Sequence, residues 1–331
     1  GPYSDFESGT LQGWAKLEPF HGDLEHPGTG GNPGGFMFCR DTMAGGGGLY
    51  ARAPGDFTGD LSASRGLRWD EYLYDCNPDP TSPTFPLLYA VIGGDTTVYR
   101  ERDPEVGALE QWRERYVAFE AAAWERSSGT ASFEEALRHV SMLLLSMDCN
   151  TQCHPEAGID NILIVGPDPE QSTVDPWDAY GHAFVSPGTQ SGVDVVSVTV
   201  RDFSGAPLPE APVEIRFFGC DHLCLDHPET GLDGTTAADG SATLDPRVGG
   251  CDDCTIQVTA DGVVLRTYTR IVSTDWNGFQ ADGTVTVTDL SWLMSAIQAN
   301  YPCGDYDGNG SAGASDMQLF MTTYYAMDRN S

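Results

Sequence analysis

Near its C-terminus the chain carries a stretch whose composition leaves few conformations open: Asp305-Tyr306-Asp307-Gly308-Asn309-Gly310-Ser311, closing on Asp316. Oxygen-bearing side chains fall at loop positions 1, 3, 5 and 12, and Gly310 stands at position 6, where a sharp turn is needed. A hard cation requires several oxygens converging from one tight loop, so this spacing reads as calcium chemistry. A second copy lies upstream: Asp275, Asn277, Gly278, then Asp282-Gly283-Thr284 and Asp289. It matches if Phe279-Gln280-Ala281 is an insertion between positions 4 and 5. Asp289 is followed by Leu290, Leu293, Met294 and Ile297, and Asp316 by Met317, Phe320, Met321 and Tyr324. Both sets recur at i, i+3, i+4 and i+7, which predicts one apolar helical face after each loop.

The formal net charge of −32, with Lys16 the only lysine among 17 basic residues, argues against nucleic-acid binding. The same charge suits a soluble, cation-binding surface. Nine cysteines include the close pairs Cys149/Cys153, Cys220/Cys224 and Cys251/Cys254. Set in Asp-rich, β-rich segments, they favour disulfides and an oxidising compartment over zinc, with connectivity left open and Cys39–Cys76 a candidate bridge. His222 and His227 beside Cys220 and Cys224 form the weaker zinc alternative. The longest apolar patch, Val140 to Met147, is too short to span a membrane.

Residues 1–167 read as β-rich. Gly/Pro clusters separate short segments such as Phe36–Phe38, Leu67–Trp69 and Leu87–Ile92, which favours a β-sandwich or jelly roll. One helical or turn-rich stretch is predicted from Ser132 to about Leu145, with Ser132 and Glu135 at capping-box spacing. The order Asp5-Phe6-Glu7, Gly13-Trp14, Gly31-Asn32-Pro33-Gly34-Gly35, Ala53-Pro54 with Phe57, Gly59 and Asp60, then Trp112, Trp124 and Gly158-Ile159-Asp160-Asn161-Ile162 resembles the laminin IV type (laminin B) domain. That resemblance implies a galactose-binding-type jelly roll, related in shape to carbohydrate-binding modules. It also implies a structural calcium held by Asp5 or Glu7 and by Asp160; a plain turn at Asp160-Asn161 is the alternative.

Residues 172–273 alternate as strands over Val193–Val200, Val213–Phe217, Ala242–Leu244, Thr255–Thr259 and Val263–Tyr268, with tight turns at Asp239-Gly240 and Asp261-Gly262. The pattern resembles an immunoglobulin-like sandwich of bacterial surface proteins. Pro167 to about Ser191 reads as a linker or a first strand with a long lead-in. Residues 274–331 resemble a type I dockerin domain, whose paired loops close with Asp at position 12. The resemblance implies a small α-helical domain. Its Ca2+ ligands would be Asp305, Asp307, Asn309, Ser311 (through its carbonyl) and Asp316, and Asp275, Asn277, Asp282, Thr284 (carbonyl) and Asp289. It also implies docking into a cohesin-like module around Val287-Thr288 and Ala314-Ser315.

No HExxH, G-x-S-x-G or P-loop pattern occurs, so no enzyme is expected. Trp14, Trp69, Trp112 and Trp124 are expected mainly in the core, although any of them could stack on sugars. The leading expectation is a non-catalytic extracellular or cell-surface protein, calcium-binding and adhesive, that assembles with a neighbouring subunit in a fibre or matrix. The alternative is a carbohydrate-binding accessory protein, taking a glycan and joining an enzyme complex through its tail.

Overall fold

The computed structural model describes residues 2–17, 23–32, 34–40, 50–73, 84–105, 109–147, 156–187, 195–225, 231–278 and 281–328. The chain divides into two compact units, Gly1–Gly166 and Pro167–Ser331.

The first unit contains β1 (Tyr3–Ser4), β2 (Ala15–Lys16), β3 (Asp23–Glu25), β4 (Met37–Arg40), β5 (Tyr50–Arg52), β6 (Gly66–Leu73), β7 (Phe85–Ile92), β8 (Asp95–Glu101), β9 (Trp112–Ala118), β10 (Trp124–Ser128), α1 (Phe133–Leu137), β11 (Val140–Ser146) and β12 (Glu156–Val165). Among the described residues these strands form two antiparallel sheets. One runs β3-β4-β12-β6-β9, with β1 also on β12; the other runs β10-β8-β7-β11-β5-β2. The chain passes back and forth between the sheets, the connectivity of a jelly-roll sandwich. Inward residues of both sheets share one core, including Met37, Leu67, Trp69 and Ile159 from the first and Leu88, Tyr99, Trp124 and Leu143 from the second.

Ser132 caps α1 by accepting a hydrogen bond from Glu135 N at 3.2 Å, but the helix stops at Leu137. The expected continuation to Leu145 is corrected, because Val140–Ser146 is an extended strand paired with both β5 and β7. An apolar run of this length suits a buried helix or a central strand equally well, and the two neighbouring strands decide. A polar network also crosses the sandwich interior: fully buried Glu71 bonds Arg113 Nε at 2.7 Å, and Arg115 bonds Glu101 at 2.9 Å. The Arg115 guanidinium stacks 5.1 Å from the Trp69 ring.

The second unit contains β13 (Thr173–Asp175), α2 (Trp177–Tyr180), β14 (Ala183–Val185), β15 (Val196–Thr199), β16 (Pro212–Phe218), β17 (Leu223–Leu225), β18 (Asp233–Thr235), β19 (Ser241–Leu244), β20 (Val248–Gly250), β21 (Thr255–Ala260), β22 (Val263–Tyr268), β23 (Ile271–Ser273), α3 (Val287–Ala299) and α4 (Ala314–Asp328). Its larger sheets are β13-β15-β19 and β18-β16-β21-β22. Val196 and Val198, Val213 and Ile215, and Ile256 and Val258 alternate inward and are buried, as period-two strands require. The β21–β22 hairpin turns through Asp261 and Gly262, both at positive φ (47° and 79°), the primed geometry that matches strand twist.

Of the two readings for the stretch after Pro167, a linker or a first strand with a long lead-in, the described residues up to 187 favour strand. β13 pairs with β15, and β14 lies parallel to β23, so the stretch after Pro167 supplies strands to the unit. Residues 172–273 and 274–331, read as separate modules, fall within this one unit. Cys251–Cys303 links them covalently. Phe184 packs on Tyr306 with ring centroids 5.5 Å apart, and His182 Nε2 lies 3.2 Å from the Tyr306 carbonyl. Gly308 (φ 69°) sits so close to the Tyr180 carbonyl that a Cβ would fall 1.9 Å from its oxygen, so only glycine fits there.

Candidate metal centres

In the second loop, Asp305, Asp307 and Asp316 bring carboxylate oxygens within 4.8 Å of one another, the only such acidic or His/Cys cluster among the described residues. The loop is organised by its own backbone. Gly310 N donates to Asp305 Oδ2 at 2.9 Å, and Tyr306 N and Gly313 N donate to the two oxygens of Asp316 at 2.6 and 2.7 Å. Burial raises the Asp316 carboxyl above the usual range, against those hydrogen bonds. Asp305 Oδ1 is buried and receives no hydrogen bond. An orphaned carboxylate oxygen beside two further carboxylates, in an all-oxygen donor set, fits a hard divalent cation. Of the other expected ligands, Asn309 Oδ1 accepts from the Ser311 N–H and hydroxyl, at 3.0 and 2.8 Å.

The first loop reproduces this wiring in register. Gly283 N donates to Asp275 Oδ2 at 2.8 Å, and Thr284 N and Oγ1 bond Asp282 Oδ1, as Ser311 bonds Asn309. Asp289 accepts from Thr286 N at 2.8 Å, as Asp316 accepts from Gly313. The repeat is therefore aligned as the spacing requires, with the insertion between positions 4 and 5; its Phe279 and Gln280 lie outside the described residues. One oxygen differs. Asp275 Oδ1 takes a hydrogen bond from Asp282 N at 3.2 Å, where the matching oxygen of Asp305 has none. Asp275, Asp282 and Asp289 do not converge as the second loop's carboxylates do. Asn277 is half-buried in the same loop. Burial pushes Asp275 up to about 6, with the Asp289 and Asp282 charges adding to it, and burial also raises Asp289.

In the first unit, Asp160 and Asn161 form a bulge in β12 rather than a turn: the register with β6 shifts between Asp160 and Leu163, and Asn161 has φ 47°. A bulge re-aims side chains. Asp160, fully buried, accepts from Asn32 N at 2.7 Å and Asn161 N at 2.8 Å. Burial nevertheless pushes it up to about 6, and the Asp70 and Glu7 charges act in the same direction. Gly31 and Gly34 lie directly over these carboxylates. A Cβ on Gly34 would stand 2.3 Å from both Glu7 oxygens, and one on Gly31 would stand 2.8 Å from Asp160 Oδ2. Asp5 instead accepts from Glu7 N and Gln12 Nε2, at 3.1 and 2.9 Å. Asp70, which takes hydrogen bonds from Asn161 at 2.7 Å and Asn32 at 3.3 Å, had no signal in the sequence. It reaches the cluster only because β6 pairs with β12.

Cys220–Cys254 and Cys251–Cys303 are disulfides, so Cys220 is not a zinc thiolate. Cys76, Cys149, Cys153 and His227, and the side chains of Cys39 and Cys224, lie outside the described residues. Two disulfides suit an oxidising compartment, and no helix among the described residues is long and apolar enough to cross a membrane. Trp14, Trp69 and Trp124 are buried core residues, at 3%, 0% and 1% exposure. Trp112 is not. It is half-buried on the outer face of the first sheet, 5.5 Å from Tyr72 and from Phe36.

No family model matches the chain, and no curated protein matches it. Solved structures are similar to part of it. A family 11 carbohydrate-binding module from a cellulosomal cellulase of Clostridium thermocellum is 18% identical, covering 49% of this chain and 92% of the module, with a TM-score of 0.34. The L4b domain of human laminin α-2 is 11% identical over 49% of this chain and 88% of its own, with a TM-score of 0.32. A xylan-binding domain of family 22 is 14% identical over 48% and 90%, with a TM-score of 0.31.

Proposed function

We propose that the protein is a non-catalytic, extracellular carbohydrate-binding accessory protein that attaches to a protein partner through a calcium-loaded C-terminal loop pair. The observation that carries the calcium and docking part is the second loop, with its three convergent carboxylates and the orphaned Asp305 oxygen. Calcium there would neutralise charges that otherwise repel, so metal binding and ordering of α3 and α4 are coupled. Asp275, Asn277, Asp282, Thr284 and Asp289 form the weaker second site, and Glu7 with Asp160 a structural site in the first unit.

The partner face is on the tail helices. Val287 and Met294, spaced i and i+7 on α3, are 64% and 55% exposed, as an apolar docking surface for a cohesin-like module requires. The glycan face is on the first sheet. Trp112 and Tyr72 offer aromatic surface beside the Arg68 and Glu114 side chains, which are 31% and 64% exposed and supply donors and acceptors for hydroxyl groups. The immunoglobulin-like part serves as the rigid mount for the tail.

The test is a glycan array with the whole protein in calcium, repeated with Trp112→Ala. Binding that is lost in the variant supports the reading, whereas an array without hits overturns its carbohydrate half. Size-exclusion chromatography with and without calcium then reports on the tail. A calcium-dependent polymer would replace the accessory role with the fibre-forming one.

A further inference from the structure

The second unit holds a cleft of about 440 Å³ whose lining includes none of the proposed calcium ligands, although Trp276 comes from the first calcium loop; His222, Asp252, Asp253, Arg270 and Tyr301 also line it. Its volume is in the range of small-ligand sites, about 300–1,000 Å³. Four chain segments build it, around His222, Cys251–Asp253, Arg270–Gly278 and Tyr301–Cys303, and the Cys251–Cys303 bridge forms part of its wall. The site is therefore held by a covalent cross-link and not by a single loop.

The open valences of these groups define what can bind. Arg270 Nε bonds Asp253 Oδ1 at 2.6 Å, and the guanidinium Nη groups have no protein acceptor among the described residues. Asp252 uses Oδ2 to accept from His222 N at 3.1 Å, and its other oxygen has no protein donor among the described residues. The cleft thus presents acceptors and donors side by side. Two carboxylates against one guanidinium disfavour an anion, and the guanidinium disfavours a cation. A purely apolar ligand would strand these polar groups without partners. Hydroxyl groups, which donate to a carboxylate and accept from a guanidinium at once, satisfy all of them.

An aromatic platform completes the site. Tyr301 is 52% exposed, and its ring is braced edge-on by Trp292 at 6.0 Å. Trp292 is in turn seated on Gly278 (φ 92°), where a Cβ would lie 2.4 Å from the indole nitrogen. A preset ring with a free face binds the C–H face of a sugar at little cost in ordering.

We infer that this cleft is a binding site for a neutral pyranose, separate from the sheet face of the first unit and independent of whether that face binds glycan. The experiment uses the full chain carrying Trp112→Ala, so that the first unit's proposed face is removed. The probes are the methyl glycosides of glucose, galactose, mannose and xylose, followed by saturation-transfer NMR at fixed millimolar calcium. At least one glycoside should bind, and Arg270→Gln and Tyr301→Ala should each weaken it about tenfold, the loss of one strong contact. Arg270 and Tyr301 are both partly exposed, so an unchanged melting temperature shows that the variants are folded. No binding by any of the four glycosides overturns the inference, as does binding that both substitutions leave unchanged.

Discussion

Removing the Cys251–Cys303 bridge with the double substitution Cys251→Ala/Cys303→Ala tests whether the tail and the preceding β-structure behave as one unit. The bridge spans a sequence separation of 52 residues. In the chain-entropy account, closing a loop of that length removes about 4 kcal/mol of unfolded-state freedom. Both cysteines are held by neighbours that the substitution leaves in place, since Cys251 follows β20 and Cys303 follows the C-terminal end of α3. The native contacts Phe184–Tyr306 and His182–Tyr306 also remain. For a domain of this size, each kcal/mol corresponds to about 2–4 °C, so the second unit's transition should fall by about 8–16 °C. Differential scanning calorimetry of the intact protein in saturating calcium reads this, with the first unit's transition as an internal control. Substitution is preferable to a reductant, which would also open Cys220–Cys254. A shift of the second transition below about 2 °C would refute the reasoning, because the bridge would then not constrain the unfolded chain as its position requires.

Arg115→Met removes the ion-pair partner of Glu101 while the fully buried Glu71 keeps Arg113, and should cost about 3–5 kcal/mol in chemical denaturation of the first unit. Burial lowers the His182 imidazole below its usual 6.5, so the native state favours the neutral ring while the unfolded chain takes up a proton more readily. Its contribution to stability is present above pH 6.5 and is lost as the pH falls through the lower folded value. Urea midpoints of the wild type and of His182→Gln should therefore converge on acidification, and parallel curves would contradict the assignment. Gly34→Ala places a Cβ against Glu7 at positive φ and should destabilise the first unit by about 1–2 kcal/mol; a melting temperature unchanged from the wild type would show that the Gly31–Gly35 loop does not press on that carboxylate.

Where local chemistry decides the structure, it could be read from the residues. The Asp261-Gly262 hairpin, the strand alternation of Thr255–Thr259 and the loop register around Gly283 and Gly310 all follow from turn chemistry and spacing. What could not be read depends on pairing between distant segments. Val140–Ser146 is a strand because β5 and β7 flank it. Asp70 reaches the Asp160 cluster through strand register. Cys303 pairs with Cys251 because the tail folds back on the β-structure, while Cys254 is taken by Cys220. The difference between the two loops was equally hidden, since it lies in where the carboxylate oxygens sit and in one hydrogen bond, from Asp282 N to Asp275 Oδ1.

The most direct test of the account is a calorimetric calcium titration of the intact, calcium-stripped protein against Asp305→Asn/Asp316→Asn. The wild type should show saturable calcium binding that loses its tightest site in the variant, together with a calcium-induced rise in the second unit's melting temperature that the variant lacks. Identical titrations for the two proteins, or a wild type that binds no calcium, would contradict the account.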